Sequence, residues 1–182
     1  EGAFFTIILH LGTLAAVIIA FWDTIWGMIK EFFSMIGDIF KGKFSFREMT
    51  PKRRMIFLLI VSLLPMIITV FLKDFFEGFS TDNSIVVEGI FFLVTSVLLF
   101  LGVRYGKGAK DASNMTYRDA LVVGGMQAVA PIPGLSRSGS TISVGLLCGL
   151  EREFAVAFSF IMGIPPIIGA NLLEIPKVME QG

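Results

Sequence analysis

Arg137 stands between Ser136 and Ser138 in the run Ala-Pro-Ile-Pro-Gly-Leu-Ser-Arg-Ser-Gly-Ser-Thr, which ends at Thr141. The stretches around it are apolar, and an arginine at membrane depth is costly unless it is paired or has a function. A guanidinium offers a planar, permanently charged fork that suits phosphate. The hydroxyls of Ser136, Ser138 and Thr141 add hydrogen-bond donors, with Ser140 among them. Gly134 and Gly139 let the backbone come close to a ligand. A helix starting just after Pro133-Gly134 would add free N–H groups and the positive end of a dipole. The chemistry of such a cradle is the holding of an anion, phosphate above all. The competing reading is a Ser/Gly hairpin whose arginine pairs with a carboxylate for structural reasons.

Few other residues could take part. His10 is the single histidine and lies within the first apolar stretch, near Thr6 and Thr13. It is either a packed core histidine or a functional group at depth. Gln127 stands one turn before the Pro/Gly break and could reach a cavity there, as could Ser159. Glu88, near one end of its apolar stretch, reads as interfacial. The single Cys148 excludes an internal disulfide. No metal-ligand cluster, paired-carboxylate motif or Gly-rich nucleotide loop is present. The cradle therefore lacks an obvious nucleophile or base, apart from the serines and His10.

The elements that must position these residues are membrane helices. The chain has 182 residues, 54% hydrophobic and 16% charged, with a mean hydropathy of +0.80. Soluble domains carry about 25% charged residues. The net charge of zero gives no sign of a nucleic-acid partner. Residues 4–22, 55–72 and 85–103 are each apolar over about the 20 residues a spanning helix needs. A fourth region, 117–173, is broken by Pro131, Pro133, Gly134, Gly149, Pro165 and Pro166. Within the connection 23–54, Ile25, Met28, Ile29, Phe32, Phe33, Ile36 and Phe40 recur at helical spacing. That amphipathic helix could lie on the membrane surface or pack on the bundle.

Basic residues crowd the first connection and the third, which carries Arg104, Lys107, Lys110 and Arg118, whereas 73–84 has only Lys73. The positive-inside rule puts the first and third on the cytoplasmic side and 73–84 outside. Thr116 and Asp119 look like a helix-capping pair. The helix from Tyr117 to Ala130 rises about 21 Å, too short to cross, so the break falls within the membrane, towards its outer half. Residues 140–149 form a second half-length helix. Such broken helices are tolerated at depth only where they line a buried or watery cavity, and transport and binding sites collect there. The ends carry no initiator Met, so residues 1–182 read as a single membrane domain, an internal fragment of a longer protein.

The run Pro133 to Thr141 resembles the P-G-x-S-R-S-x-x-T signature of bacterial undecaprenyl-diphosphate phosphatases, the bacitracin-resistance family. Met115 to Ala120, Gln127 with Ala130, Phe158-Ser159-Phe160 with Pro165, and His10 to Thr13 resemble its flanking segments. The resemblance implies an all-α, polytopic membrane bundle with inverted repeats, each containing a re-entrant helix pair. It implies a multi-pass protein of the bacterial plasma (inner) membrane whose site opens to the outer face. It implies hydrolysis of undecaprenyl diphosphate to undecaprenyl phosphate and inorganic phosphate, recycling the lipid carrier of peptidoglycan synthesis. Ser136, Arg137 and Thr141 would then act on the diphosphate. Gly134, Ser138, Gly139, Ser140, Gln127 and His10 would serve substrate binding. The family's acidic helix and its Ser/His segment have no counterpart in this chain. A divalent cation, Mg or Ca, would draw its ligands from outside this chain, and a homodimer stays open. The alternative function is a lipid-phosphate or anion transporter of similar architecture, which would need no nucleophile opposite Arg137.

Overall fold

The computed structural model describes residues 2–43, 45, 49–71 and 85–180, which are helical apart from their connections and one isolated bridge between Lys110 and Leu150. The helices are α1 (Gly2–Ala20), α2 (Trp22–Phe40), α3 (Pro51–Leu63), α4 (Met66–Phe71), α5 (Ile85–Tyr105), α6 (Tyr117–Val129), α7 (Arg137–Leu147), α8 (Arg152–Met162) and α9 (Ile164–Glu180). The expected outward connection 73–84 lies outside the described residues, as does Arg47. Ile85–Tyr105 and Arg152–Leu172 are each long and apolar enough to cross a membrane. Ile7–Ala20 and Trp22–Phe40 would make a third span only as a pair, bent by 82° at Phe21.

The broken region forms a helical hairpin. Thr116 caps α6 by accepting from the Asp119 N–H at 3.1 Å, and the Asp119 carboxylate accepts from the Thr116 N–H at 2.9 Å. At the other end of the pair, Gly149 has φ +88° and closes α7. Its N–H donates to Leu146 and the Leu150 N–H to Gly145, satisfying the last carbonyls as left-handed helix ends do. Lys110 ties the two feet together, donating to Asp119 Oδ2 at 2.8 Å and to the Cys148 carbonyl at 2.9 Å. The helices leave and return at one end, and residues 130–136 form the tip.

The hairpin is held by close backbone contacts. Gly102 of α5 and Gly106 just beyond its end lie against Ser143 and Leu146 of α7, and Gly124 of α6 lies against the Ser62 carbonyl of α3. In lipid, helix association gains little from apolar burial itself, so small residues that allow tight packing do more. Leu58, Met115, Val123, Phe158 and Met162 fill the centre between α3, α6 and α8, all at 0% exposure.

The amphipathic helix α2 packs on the bundle rather than lying free on a surface. Arg53 of α3 reaches Glu31 at 3.2 Å, Asp38 at 2.9 Å and the Ser34 hydroxyl at 3.3 Å. These three sit on one face of α2, where Met35 is buried. Phe33 and Phe40 stay exposed on α2.

Candidate anion-binding site at the hairpin tip

The tip lies beside the middle of a spanning helix. Gly134, at φ +83°, packs on the backbone of Glu88, three residues after the start of α5. The Ser136 N–H donates to Thr95 Oγ1 at 3.1 Å, and Thr95 passes its own proton to the Phe91 carbonyl at 3.0 Å. Thr95 is ten residues into α5, about 15 Å along its axis. The motif therefore packs along the first half of α5, between Glu88 and Thr95.

Helix α7 begins earlier than residue 140. Ser136 is its N-cap, accepting from the Gly139 N–H at 3.2 Å, and Arg137 and Ser138 occupy the first turn. Serine is a favoured cap, and small polar residues are tolerated in a first turn whose N–H groups have no helical partner. As an acceptor in the cap, Ser136 keeps its hydroxyl proton for another group. Gly139 leaves little room: a side chain there would press on Ser136 Oγ and the Thr95 methyl.

Arg137 is half-buried, and among the described residues its guanidinium makes one hydrogen bond, from Nη1 to the Gly163 carbonyl at 3.3 Å. No carboxylate pairs with it among the described residues, whose ion pairs join Arg53 to Glu31 and Asp38, and Lys110 to Asp119. A guanidinium has five N–H donors, so most of its capacity is uncommitted. Gly163 also has to be small, since a side chain there would strike the guanidinium. Its carbonyl lies at the α8–α9 junction. Pro165 and Pro166 carry no N–H, which withdraws the helical partners of Ile161 and Met162. Gln127 donates to the Met162 carbonyl at 3.3 Å, filling one of those vacancies, and lies 3.1 Å from Met66 Sδ.

The other candidates differ in availability. The Thr141 hydroxyl is buried and donates back to the Arg137 carbonyl at 2.9 Å, so it braces the first turn in this conformation. Ser138 is half-buried and its side chain makes no hydrogen bond among the described residues. Ser140 Oγ, Ser159 Oγ and Gln127 Oε1 are buried without a partner among the described residues. So is His10 Nδ1 on α1, a helix that packs against α9. No hydrogen bond joins His10 to the tip. Sequence reasoning missed Thr95 and the Gly163 carbonyl. The prolines gave no signal for the second: they free the carbonyls of Ile161 and Met162, whereas that of Gly163 also accepts from the Ile167 N–H at 3.2 Å.

The arrangement gathers a helix N-terminus, a serine proton and an uncompensated guanidinium at membrane depth. It can hold an anion and stabilise charge that develops on it. A family profile described as "Bacitracin resistance protein BacA" matches residues 1–182. The chain is 42% identical over 180 residues to the undecaprenyl-diphosphatase of Alkaliphilus metalliredigens (strain QYMF), covering 98% of this chain and 64% of that protein. It is 41% identical over 181 residues to the undecaprenyl-diphosphatase of Methanosphaera stadtmanae, covering 97% and 65%. For that of Thermosipho melanesiensis the identity is 42% over 172 residues, covering 94% and 62%. The chain thus spans a little under two thirds of these relatives' lengths. It belongs to the BacA family of bacitracin resistance proteins.

Proposed function

We propose that this chain supplies the phosphate-holding half of a membrane phosphatase that converts undecaprenyl diphosphate and water to undecaprenyl phosphate and inorganic phosphate. The observation that carries the reading is Arg137 at the α7 N-terminus, with no carboxylate to neutralise it among the described residues. Relatives named undecaprenyl-diphosphatase support it. In this reading Arg137, the first-turn N–H groups and the Ser136 hydroxyl bind the diphosphate. They stabilise the oxygens as the bond to the departing phosphate breaks. Ser138 donates a further hydrogen bond, and Thr141 keeps the first turn in shape. Gly134, Gly139 and Ser140 shape the tip. Gln127 steadies the Met162 carbonyl beside Gly163, and His10 on α1 remains a substrate-binding candidate. The site opens to the outer face, following the charge bias of the connections.

The group that attacks phosphorus lies outside this cradle. Among the described residues no three His, Cys, Asp or Glu side chains come together as metal ligands. A Mg or Ca ion would take its ligands elsewhere, and the roles of Arg137 and Ser136 do not depend on one.

The test is phosphate release from undecaprenyl diphosphate in detergent by the full-length protein and its Arg137→Ala and Arg137→Lys variants. Removing one such electrostatic donor costs about 10²–10³ in kcat, and Lys restores charge without the fork. Both variants should fall, Ala further. Near-normal hydrolysis by a folded Arg137→Ala variant would remove the cradle from the reaction. Absence of hydrolysis by the wild-type protein, with lipid movement across vesicles, would favour a transporter.

A further inference from the structure

A wholly apolar groove of about 390 Å³ opens where α2 and α3 meet the α8–α9 junction. Its walls include Ile29 and Phe32 of α2, Leu59 and Leu63 of α3, and Met162 and Ile164 on either side of Gly163. All lining side chains are hydrocarbon or thioether, so the groove offers nothing to a peptide backbone or a sugar. The volume is that of a small-ligand site, about 300–1,000 Å³. Phe32 and Phe33 stand exposed at its mouth, towards the lipid.

The groove lies next to the anion site along the chain. Gly163 lies between two groove residues, and its carbonyl is the acceptor of Arg137. A ligand with an anionic head at Arg137 and a hydrocarbon chain would find both within one turn of backbone. Methionines such as Met162 adapt to branched, irregular hydrocarbon better than rigid side chains do. The bend at Phe21 is what brings α2 to this place, and Arg53 holds it against α3.

From these observations we infer that the groove between α2, α3 and the α8–α9 junction seats the first isoprene units of a polyprenyl phosphate or diphosphate. The remaining chain runs out past Phe32 and Phe33 into the bilayer. This rests on the phosphatase reading and names the part of the molecule that selects its lipid.

The experiment uses the wild-type full-length protein and undecaprenyl phosphate carrying a diazirine in an isoprene unit near the phosphate. Irradiation should label peptides from α2 and α3 around Ile29 and Leu63. Excess unlabelled undecaprenyl phosphate should suppress that labelling at least about ten-fold, while phosphatidylglycerol leaves it. Equal suppression by phosphatidylglycerol would make the groove a site for ordinary bilayer lipid and overturn the inference. Labelling confined to the lipid-facing surface of α5 would also overturn it. A kinetic arm compares undecaprenyl with geranyl diphosphate in an Ile29→Glu variant that keeps its unfolding temperature. The ratio of kcat/KM for the long over the short substrate should fall about ten-fold, or ~1.4 kcal/mol. An unchanged ratio counts against the groove. Labelling needs no turnover, so a wild-type protein that labels as expected but releases no phosphate would refute the phosphatase reading and leave the groove standing.

Discussion

Replacing Thr95 with Val should cripple the site without touching the motif. Thr95 Oγ1 is the acceptor for the Ser136 N–H at 3.1 Å, and Thr95 is 5% exposed. Valine keeps the shape, including the methyl group against Gly139, and removes only the acceptor. The Ser136 N–H is then left without a partner at a site where water cannot easily replace it. An orphaned buried donor costs about 1–3 kcal/mol. The tip can absorb that cost by moving Ser136 away from α5, and Arg137 follows on the next residue. If the whole cost appears in the transition state, kcat falls roughly five- to 150-fold. The assay is phosphate release against substrate concentration by the full-length protein, with thermal unfolding in detergent alongside. Thr95→Ser retains the acceptor and should recover most of the rate. A structural role alone would lower the unfolding temperature and leave kcat of the folded fraction intact. Full kcat in Thr95→Val, or equal loss in Thr95→Val and Thr95→Ser, would refute the reasoning.

Three further perturbations follow from the geometry. Gly134→Ala combines a left-handed φ of +83° with a collision against the Glu88 backbone. It should cost about 1–3 kcal/mol, read as a lower unfolding temperature with loss of phosphate release; an unaffected enzyme would mean the tip is loosely held. Gly124→Ala pushes α6 off the Ser62 carbonyl of α3 and should destabilise by about 1–3 kcal/mol, measurable by thermal unfolding. At the hairpin feet, burial works to raise the Asp119 carboxyl, but Lys110 and Thr116 outweigh it and hold the group below the usual carboxylate range. A depressed folded value gives stability that is present above the unfolded value, about pH 4, and is lost as pH falls through the folded one. Asp119→Asn should therefore unfold at lower temperature than wild type at neutral pH, with the difference shrinking in acid. A constant difference across that range would show that Asp119 acts through its cap geometry alone.

The parts of this molecule that depend on neighbours in sequence were readable in advance. Thr116 and Asp119 are three residues apart, and the capping box they form needs only that spacing. The half-length of α6 followed from Pro131 and Pro133, and the Ser-Arg-Ser run opens a helix as its small polar residues suggest. Contacts between distant segments were not readable. Thr95 in an apolar helix looks like any threonine bonded to its own backbone, and only the fold brings Ser136 to it. The amphipathic stripe of α2 fitted a membrane surface as well as a bundle, because periodicity reports a face and not what covers it. Arg53, Glu31 and Asp38 decide between them, across fifteen or more residues of sequence. The early start of α7 was missed because serine and glycine are poor helix interiors, although serine is a good cap.

In the proposed phosphatase, Arg137's carbonyl partner also bears on product release. A carbonyl dipole cannot cancel a unit charge, so among the described residues the tip carries a net positive field. Whatever binds there is held in proportion to its own charge, at about 4 kcal/mol per unit pair at 4 Å for an effective dielectric constant of 20. A diphosphate brings more negative charge than the monophosphate that remains after cleavage. Turnover therefore weakens the grip on the lipid product without any moving part. A carboxylate beside Arg137 would cancel most of that field and, with it, most of the difference between the two ligands.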